Sequence, residues 1–379
     1  MGKTSSKPSS DGKASAADGG TGDTKNQHQS NYPKDNSDRP VPYQVVKLVD
    51  EFSGGAPGYA SASGRHLEFS TTRVKTISKH LLLAVASGME SKEANTPVKS
   101  SDVGHLFKSH LYAKDLLQQS PAYLLERGDV TDWAGRTFKN ITAFEYAVWA
   151  KDFKMIEMML GCIPEKPEGD EIRKELLRQF EQVTSLRGDG GGLTYTHTYL
   201  RPNVDAQGIP IKDAAGSWDC ETVTVERWEN HFDLIPLIEA YADYDRHFDT
   251  RTWPARDACW IKGIGTLQHL LPVHILQRFC DPKTPFYPLP QFNGEFKRST
   301  DFYNYITASD SSLFGSSLSS DFALIRVGWS SLGLCVPRCE WGARVALAAI
   351  RQLDEVSTNE IKKITRQLSR PQHNAGMRL

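Results

Sequence analysis

Apolar residues recur at helical spacing along most of the 379-residue chain and alternate with polar ones in two stretches. In "NITAFEYAVWAKDFKMIEMML" (140–160) the pattern predicts two short helices back to back, with Phe144, Ala147, Val148, Ile156 and Met159 in the core. An amphipathic helix is expected over 171–183, where Ile172, Leu176, Leu177 and Phe180 share one side. The period then changes to two. Leu193, Tyr195, His197 and Tyr199 alternate with Thr194, Thr196 and Thr198, a strand pattern, and "ETVTVERW" (221–228) reads as a second strand after a long turn. A small antiparallel pair among helices follows from this. Helices are expected over 230–248 and about 256–279, the second kinked or split at Pro272, which lacks a backbone donor and clashes with the preceding turn. Residues 280–292 are proline-rich and extended, and "FALIRVGW" (322–329) reads as a short strand or buried helix. An alanine-rich helix spans 340–355, and a last helix over 357–370 opens with Ser357 and Glu360 at capping-box spacing.

The ends lack such periodicity. Residues 1–42 are Ser, Gly, Lys, Asp, Asn and Pro with little to bury, so disorder is expected, and "EFSGGAPGYASASG" (51–64) reads as a flexible link. The folded part is placed from about His66. The organisation expected is a tail and linker over 1–65, a helical region over 66–168, a second helical region with the β element over 169–370, and a short tail over 371–379. The fold class is mainly α, formally α+β.

The 140–160 hairpin resembles one ankyrin repeat. Thr142, Phe144 and Ala147 match its first helix, Phe153, Met155, Ile156, Met158, Met159 and Leu160 its second, and "YLLERGDVTDWAGRT" (123–137) resembles the end of one unit and the Asp-x-x-Gly-x-Thr turn of the next. No further copy flanks it. Repeats bury their apolar faces on one another, so an isolated unit and a half is a local hairpin inside a larger helical region and not an array. Trp149, Phe153 and Met155 are its candidate binding residues.

Composition narrows the partners. A formal net charge of −1 gives no field for nucleic acid, and none is expected as a partner. Six cysteines are too sparse for a disulfide-stapled secreted domain and read as reduced thiols. Apolar runs fall short of the roughly 18 residues that suggest a membrane span, and the start lacks the apolar stretch of a general secretory signal. The opening "MGKTSS" does fit a myristoyl acceptor, with Gly2 supplying the amine and Ser6 the hydroxyl residue. Membrane contact through Gly2 would be marginal and reversible. Lys362, Lys363, Arg366 and Arg370 read as a solvated basic helix face.

Catalytic signatures are sparse. There is no P-loop and no His-Glu-x-x-His, so no cofactor and no metal is expected. "GDGGG" (188–192) precedes a strand, the wrong order for a phosphate cradle, and Arg187 lacks the later Glu-x-Glu of an ADP-ribosyltransferase. Cys335 and Cys339 have no matching second pair for a metal site. A thiol nucleophile needs a histidine and an orienting partner. Cys259 or Cys280 with His269 or His274, and Asp257 or Asp281, supply the residue types, as do His197 and Cys220 across the strand pair. On one helix Cys259 and His269 would lie roughly 15 Å apart, so they pair only through the Pro272 break.

Two blocks carry a family resemblance. "GRTFKNITAFEYAVWAKDFKMIEMML" and, downstream, "CWIKGIGTLQHLLPVHILQRFCDP" resemble a domain of proteins from Legionella and related intracellular bacteria that are candidate type IV secretion effectors. Trp260, Gly265, Gln268, Leu271, Pro272, His274, Cys280 and Pro282 stand in the order of that group, and the likeness covers about 105–300. The resemblance implies delivery into a host cytosol, where Gly2 acylation would make sense, and implies no reaction. The reading that results is an effector-like protein that binds a host protein, through the hairpin and the aromatic segment 279–305 with Phe286, Tyr287, Phe292, Tyr303 and Tyr305. The alternatives are a host-targeted modifying enzyme with a Cys/His site and a lipid-anchored scaffold.

Overall fold

The computed structural model describes residues 65–95, 111–185, 191–203, 220–279, 288–294, 298, 301–304, 309–312 and 340–369. The elements are α1 (Arg65–Ala86), α2 (Ala113–Gln119), β1 (Gly128–Thr131), β2 (Arg136–Ile141), α3 (Ala143–Trp149), α4 (Phe153–Gly161), α5 (Pro167–Thr184), β3 (Leu193–Pro202) and β4 (Cys220–Glu229). After them come α6 (Ile235–Arg246), α7 (Trp253–Ala258), a π-helical turn (Cys259–Gly265), α8 (Thr266–His269), α9 (Val273–Phe279), the pair β5 (Asp301–Asn304) and β6 (Ser309–Ser312), and α10 (Glu340–Leu368).

Helices with a small antiparallel sheet make up the fold, and the sheet is larger than the expected pair: its order is β1-β2-β3-β4. The added strands come from the segment compared above with ankyrin repeats. Asp132 closes their turn by accepting from the amides of Ala134 at 3.1 Å and Arg136 at 3.0 Å. Gly135 is required there, because its φ is +83° and a Cβ would meet the Thr198 carbonyl at 2.9 Å. β3 and β4 pair with Thr196 opposite Glu226. Their alternation holds: Leu193, Tyr195 and His197 are buried, and Thr194, Thr196 and Thr198 are exposed.

The helix pair at 143–161 forms for local reasons. Thr142 and Glu145 make a reciprocal capping box at the start of α3, and Asp152 caps α4 by accepting from Met155. Between them Lys151 takes φ +58°, while its amide bonds Val148 and that of Asp152 bonds Ala147, the closing pattern that usually uses glycine. Phe144, Ala147, Val148, Ile156 and Met159 are all in the core. Trp149 anchors an aromatic cluster, its ring 4.8 Å from Phe138 and 5.8 Å from both Tyr195 and Phe232, each such pair contributing about 0.5–1.5 kcal/mol beyond area. α1 packs on β1 and α3, and α10 packs on α4, α5 and α6.

Of two expectations about the C-terminal helices, the break at Pro272 is met and the separate last helix is not. The helix expected over 256–279 starts at Trp253, passes through a π turn and breaks before Val273, so Pro272 splits it. The two helices expected over 340–370 are one, α10, with Ser357 buried in mid-helix. No capping box forms, because inside a continuous helix there are no free amides at Ser357 to cap, and Glu360 accepts from Arg278 at 3.1 Å. The segment 322–329 lies outside the described residues.

Candidate functional site

Between α2 and α4 the surface opens into a cleft of about 810 Å³ lined by Leu117, Pro121, Met158, Cys162 and Pro164, with Lys114, Lys154, Glu157 and Glu90 among them. The helical period of α4 makes it two-faced. Met155, Ile156 and Met159 are buried, and Met158 and Leu160 are left half-buried on the other side. Met158 and Cys162, a helical turn apart, bring their sulfurs to 3.8 Å. Burial pushes the Cys162 thiol up, against the opposing charge of Lys114, so it lines the cleft as a soft apolar group. Lys154 and Glu157 pair at 3.1 Å and Lys114 meets Glu93 at 3.6 Å. The lining thus mixes adaptable apolar surface with charges of both signs.

Behind Glu90 lies a buried ionic cluster. Arg298 donates Nε to Glu90 at 2.7 Å, and Nη1 and Nη2 to the two oxygens of Asp152 at 2.9 and 2.7 Å. Its amide bonds the Ala94 carbonyl at 2.9 Å. One side chain therefore ties the 90–95 segment, which forms one wall of the cleft, to the cap of α4, which forms another. Burial alone would raise the Asp152 carboxyl, but the charges of Arg298 and His274 and the Arg298 hydrogen bonds hold it at about 2. His274 faces the same carboxylate at 3.9 Å; burial lowers it to about 4 despite that neighbour, so it is neutral at pH 7.

A second buried pair holds the sheet to the helices. Arg136 donates to Asp132 at 2.7 Å and to the Leu270 carbonyl at 2.7 Å, and lies over the rings of Trp149 and Phe232. Leu270 caps α8, and the arginine supplies the donor its carbonyl needs there.

The sequence candidates fall in separate surroundings. Cys259 opens the π turn and its sulfur accepts from Arg251 at 3.3 Å; burial raises the thiol, with Arg251 opposing. The His269 ring packs on Trp133 at 4.5 Å, whereas His274 sits against Asp152. Asp257, two residues before Cys259, points elsewhere on the helix. On the strands, His197 pairs with Val225 and Cys220 with Pro202, and the His197 Nε2 engages the Ala134 carbonyl. Cys280, Asp281, Cys335, Cys339, Phe286, Tyr287, Tyr305, Arg187 and Gly2 lie outside the described residues. Trp149, Phe153 and Met155 are core residues, 0 %, 6 % and 0 % exposed, so of this hairpin's candidate binding residues none is at the surface. Tyr303 is on β5 and Phe292 is buried. Among the described residues no group of His, Cys, Asp or Glu is gathered for a metal, and no helix is long and apolar enough to cross a membrane. Arg298, Asp152 and Glu90 were missed: an Asp before an apolar run signals the cap, but Arg298 stands in a stretch without periodicity.

Comparison with known proteins adds relatives. The chain is 33% identical over 264 residues to the "Uncharacterized protein CBUA0006" of Coxiella burnetii (strain RSA 493 / Nine Mile phase I), covering 68% of this chain and 71% of that protein. A family model described as the CBUA0006 C-terminal domain matches residues 236–368, from α6 to the end of α10. No solved structure matches.

Proposed function

The chain belongs to the family of the Coxiella burnetii protein CBUA0006, and on that premise we propose that it is an effector-like protein, delivered into a host cell, that acts by binding a host protein. The observation that carries the binding reading is the cleft between α2 and α4, where a methionine and cysteine surface is presented beside paired charges. Thioether and thiol surfaces adapt to apolar side chains, and a concave, half-apolar cleft of this size suits a short segment of a partner. The reading's host-directed part is supported by the resemblance to proteins of Legionella and related intracellular bacteria, and the Coxiella relative, an uncharacterized protein by name, adds no activity to it. The separate surroundings of Cys259, His269 and His274 favour binding over the Cys/His enzyme alternative.

The test compares captures from host lysate by the wild-type chain and by Met158→Arg, with thermal melting to confirm that both fold. A protein retained by the wild type and lost with Met158→Arg supports the reading. An identical set of retained proteins removes the cleft from it.

A further inference from the structure

The domain shared with the family carries an exposed feature that the cleft does not involve. Trp253, at the start of α7, is 59 % exposed, the most of any large hydrophobic side chain among the described residues. Thr252, Pro254 and Ala255 beside it are exposed as well. The Trp253 ring stands at 85° to that of Phe248, and the guanidinium of Arg256 occupies the corner, 4.6 Å from the Trp253 centroid and 3.9 Å from that of Phe248. Arg256 is also fixed by its Nε, which donates to the Arg251 carbonyl at 3.0 Å. Its two Nη groups carry no acceptor among the described residues.

This arrangement is unlike the other arginines nearby. Arg251 is neutralised by Asp243 at 2.6 Å and Arg344 by Asp245 at 2.8 Å. Arg256 instead has a planar fork held in one orientation by two rings, and a wide apolar face alongside. Stacking lowers the entropy lost when the fork grips a carboxylate with two parallel hydrogen bonds. Exposed Trp and Arg are also the residue types that most often dominate interface energies.

We propose that Trp253 and Arg256 form a docking site for an acidic segment of a partner protein, with a carboxylate on the Arg256 fork and an apolar or aromatic neighbour against Trp253. A phosphate polymer fits less well. The site offers the single fork of Arg256 beside the wide apolar face of Trp253, whereas a phosphate polymer is held by several cations spread along its strand. This site is separate from the cleft and stands or fails without it.

The experiment is fluorescence anisotropy of the full chain with a short, fluorescein-labelled peptide of glutamates around a central tyrosine. Labelled oligothymidine serves as the competing probe. Saturable binding of the peptide is expected, weakened about tenfold or more by Trp253→Ala and by Arg256→Ala, and also by Arg256→Lys, which keeps the charge and loses the fork. Trp253→Gln provides a second, polar variant should the alanine fail to fold, and melting curves accompany each. Lys362→Glu with Lys363→Glu, on the basic end of α10, and Met158→Arg in the cleft should leave binding unchanged. No binding, equal binding by the Arg256 variants, loss on changing Lys362 and Lys363 instead, or tighter binding of oligothymidine would each overturn the proposal.

Discussion

Replacing Arg298 by methionine is the perturbation whose size the structure fixes best. The side chain is 1 % exposed and supplies three charge-assisted hydrogen bonds, two to Asp152 and one to Glu90. Methionine fills a similar volume but leaves both carboxylates without their partner. Held at about 2 in place of the ordinary 3.8, the Asp152 carboxylate contributes about 2–3 kcal/mol to folding at neutral pH, each pKa unit being about 1.4 kcal/mol. That contribution is complete above pH 3.8 and is lost as pH falls towards 2. Removing one member of a buried pair also strands the other, which commonly costs about 3–5 kcal/mol. Urea unfolding at pH 7 should therefore show Arg298→Met less stable by about 3–5 kcal/mol. The variant's deficit should also shrink on acidification, since the stranded Asp152 takes up a proton that the wild type refuses. A loss below about 1 kcal/mol, or a deficit that grows as pH falls from neutral, would refute the reasoning.

Further outcomes follow from other groups. His274 is lowered from 6.5 to about 4 by burial, so the fold is more stable above pH 6.5 and loses a few kcal/mol, on the order of 3, as pH falls to 4; His274→Gln should flatten the wild type's decline across that window, read from urea midpoints. Gly135→Ala, at φ +83° and facing a backbone carbonyl, should cost about 1–3 kcal/mol in the same assay, and a neutral result would mean that the β1–β2 turn has room to shift. On the alternative lipid-anchor reading Gly2→Ala lowers the membrane-bound fraction in host-cell fractionation, and an unchanged distribution removes that alternative.

How far the fold was legible depends on the range of the forces involved. The 143–161 helices were readable because their apolar period is local; their caps, Thr142 and Asp152, went unread although each lies within three residues of the amide it caps. β3 and β4 were readable for the same reason, since period two exposes the threonines. β1 and β2 were not, because the turn residues Asp132 and Gly135 also fit a repeat loop, and the pairing of Val130 with Phe138 shows only in the folded chain. Ser357 and Glu360 had the spacing of a cap, yet the helix runs through them and Glu360 meets a long-range partner, Arg278. The cleft was half legible: the methionines of α4 were visible, while their division into a core side and an outer side needed the helices α2, α3 and α10 packed on it. Arg298, joined to residues more than a hundred positions away, left no trace in any local pattern.

The central claim, that the outer side of α4 meets a partner, is tested most directly by placing a photo-crosslinking residue at Met158 and, as a control, at exposed Glu181 on α5, and irradiating each chain inside host cells. The account predicts a discrete adduct of one host protein from position 158 and none of it from position 181. The same adducts from both positions, or adducts from 181 alone, would contradict it.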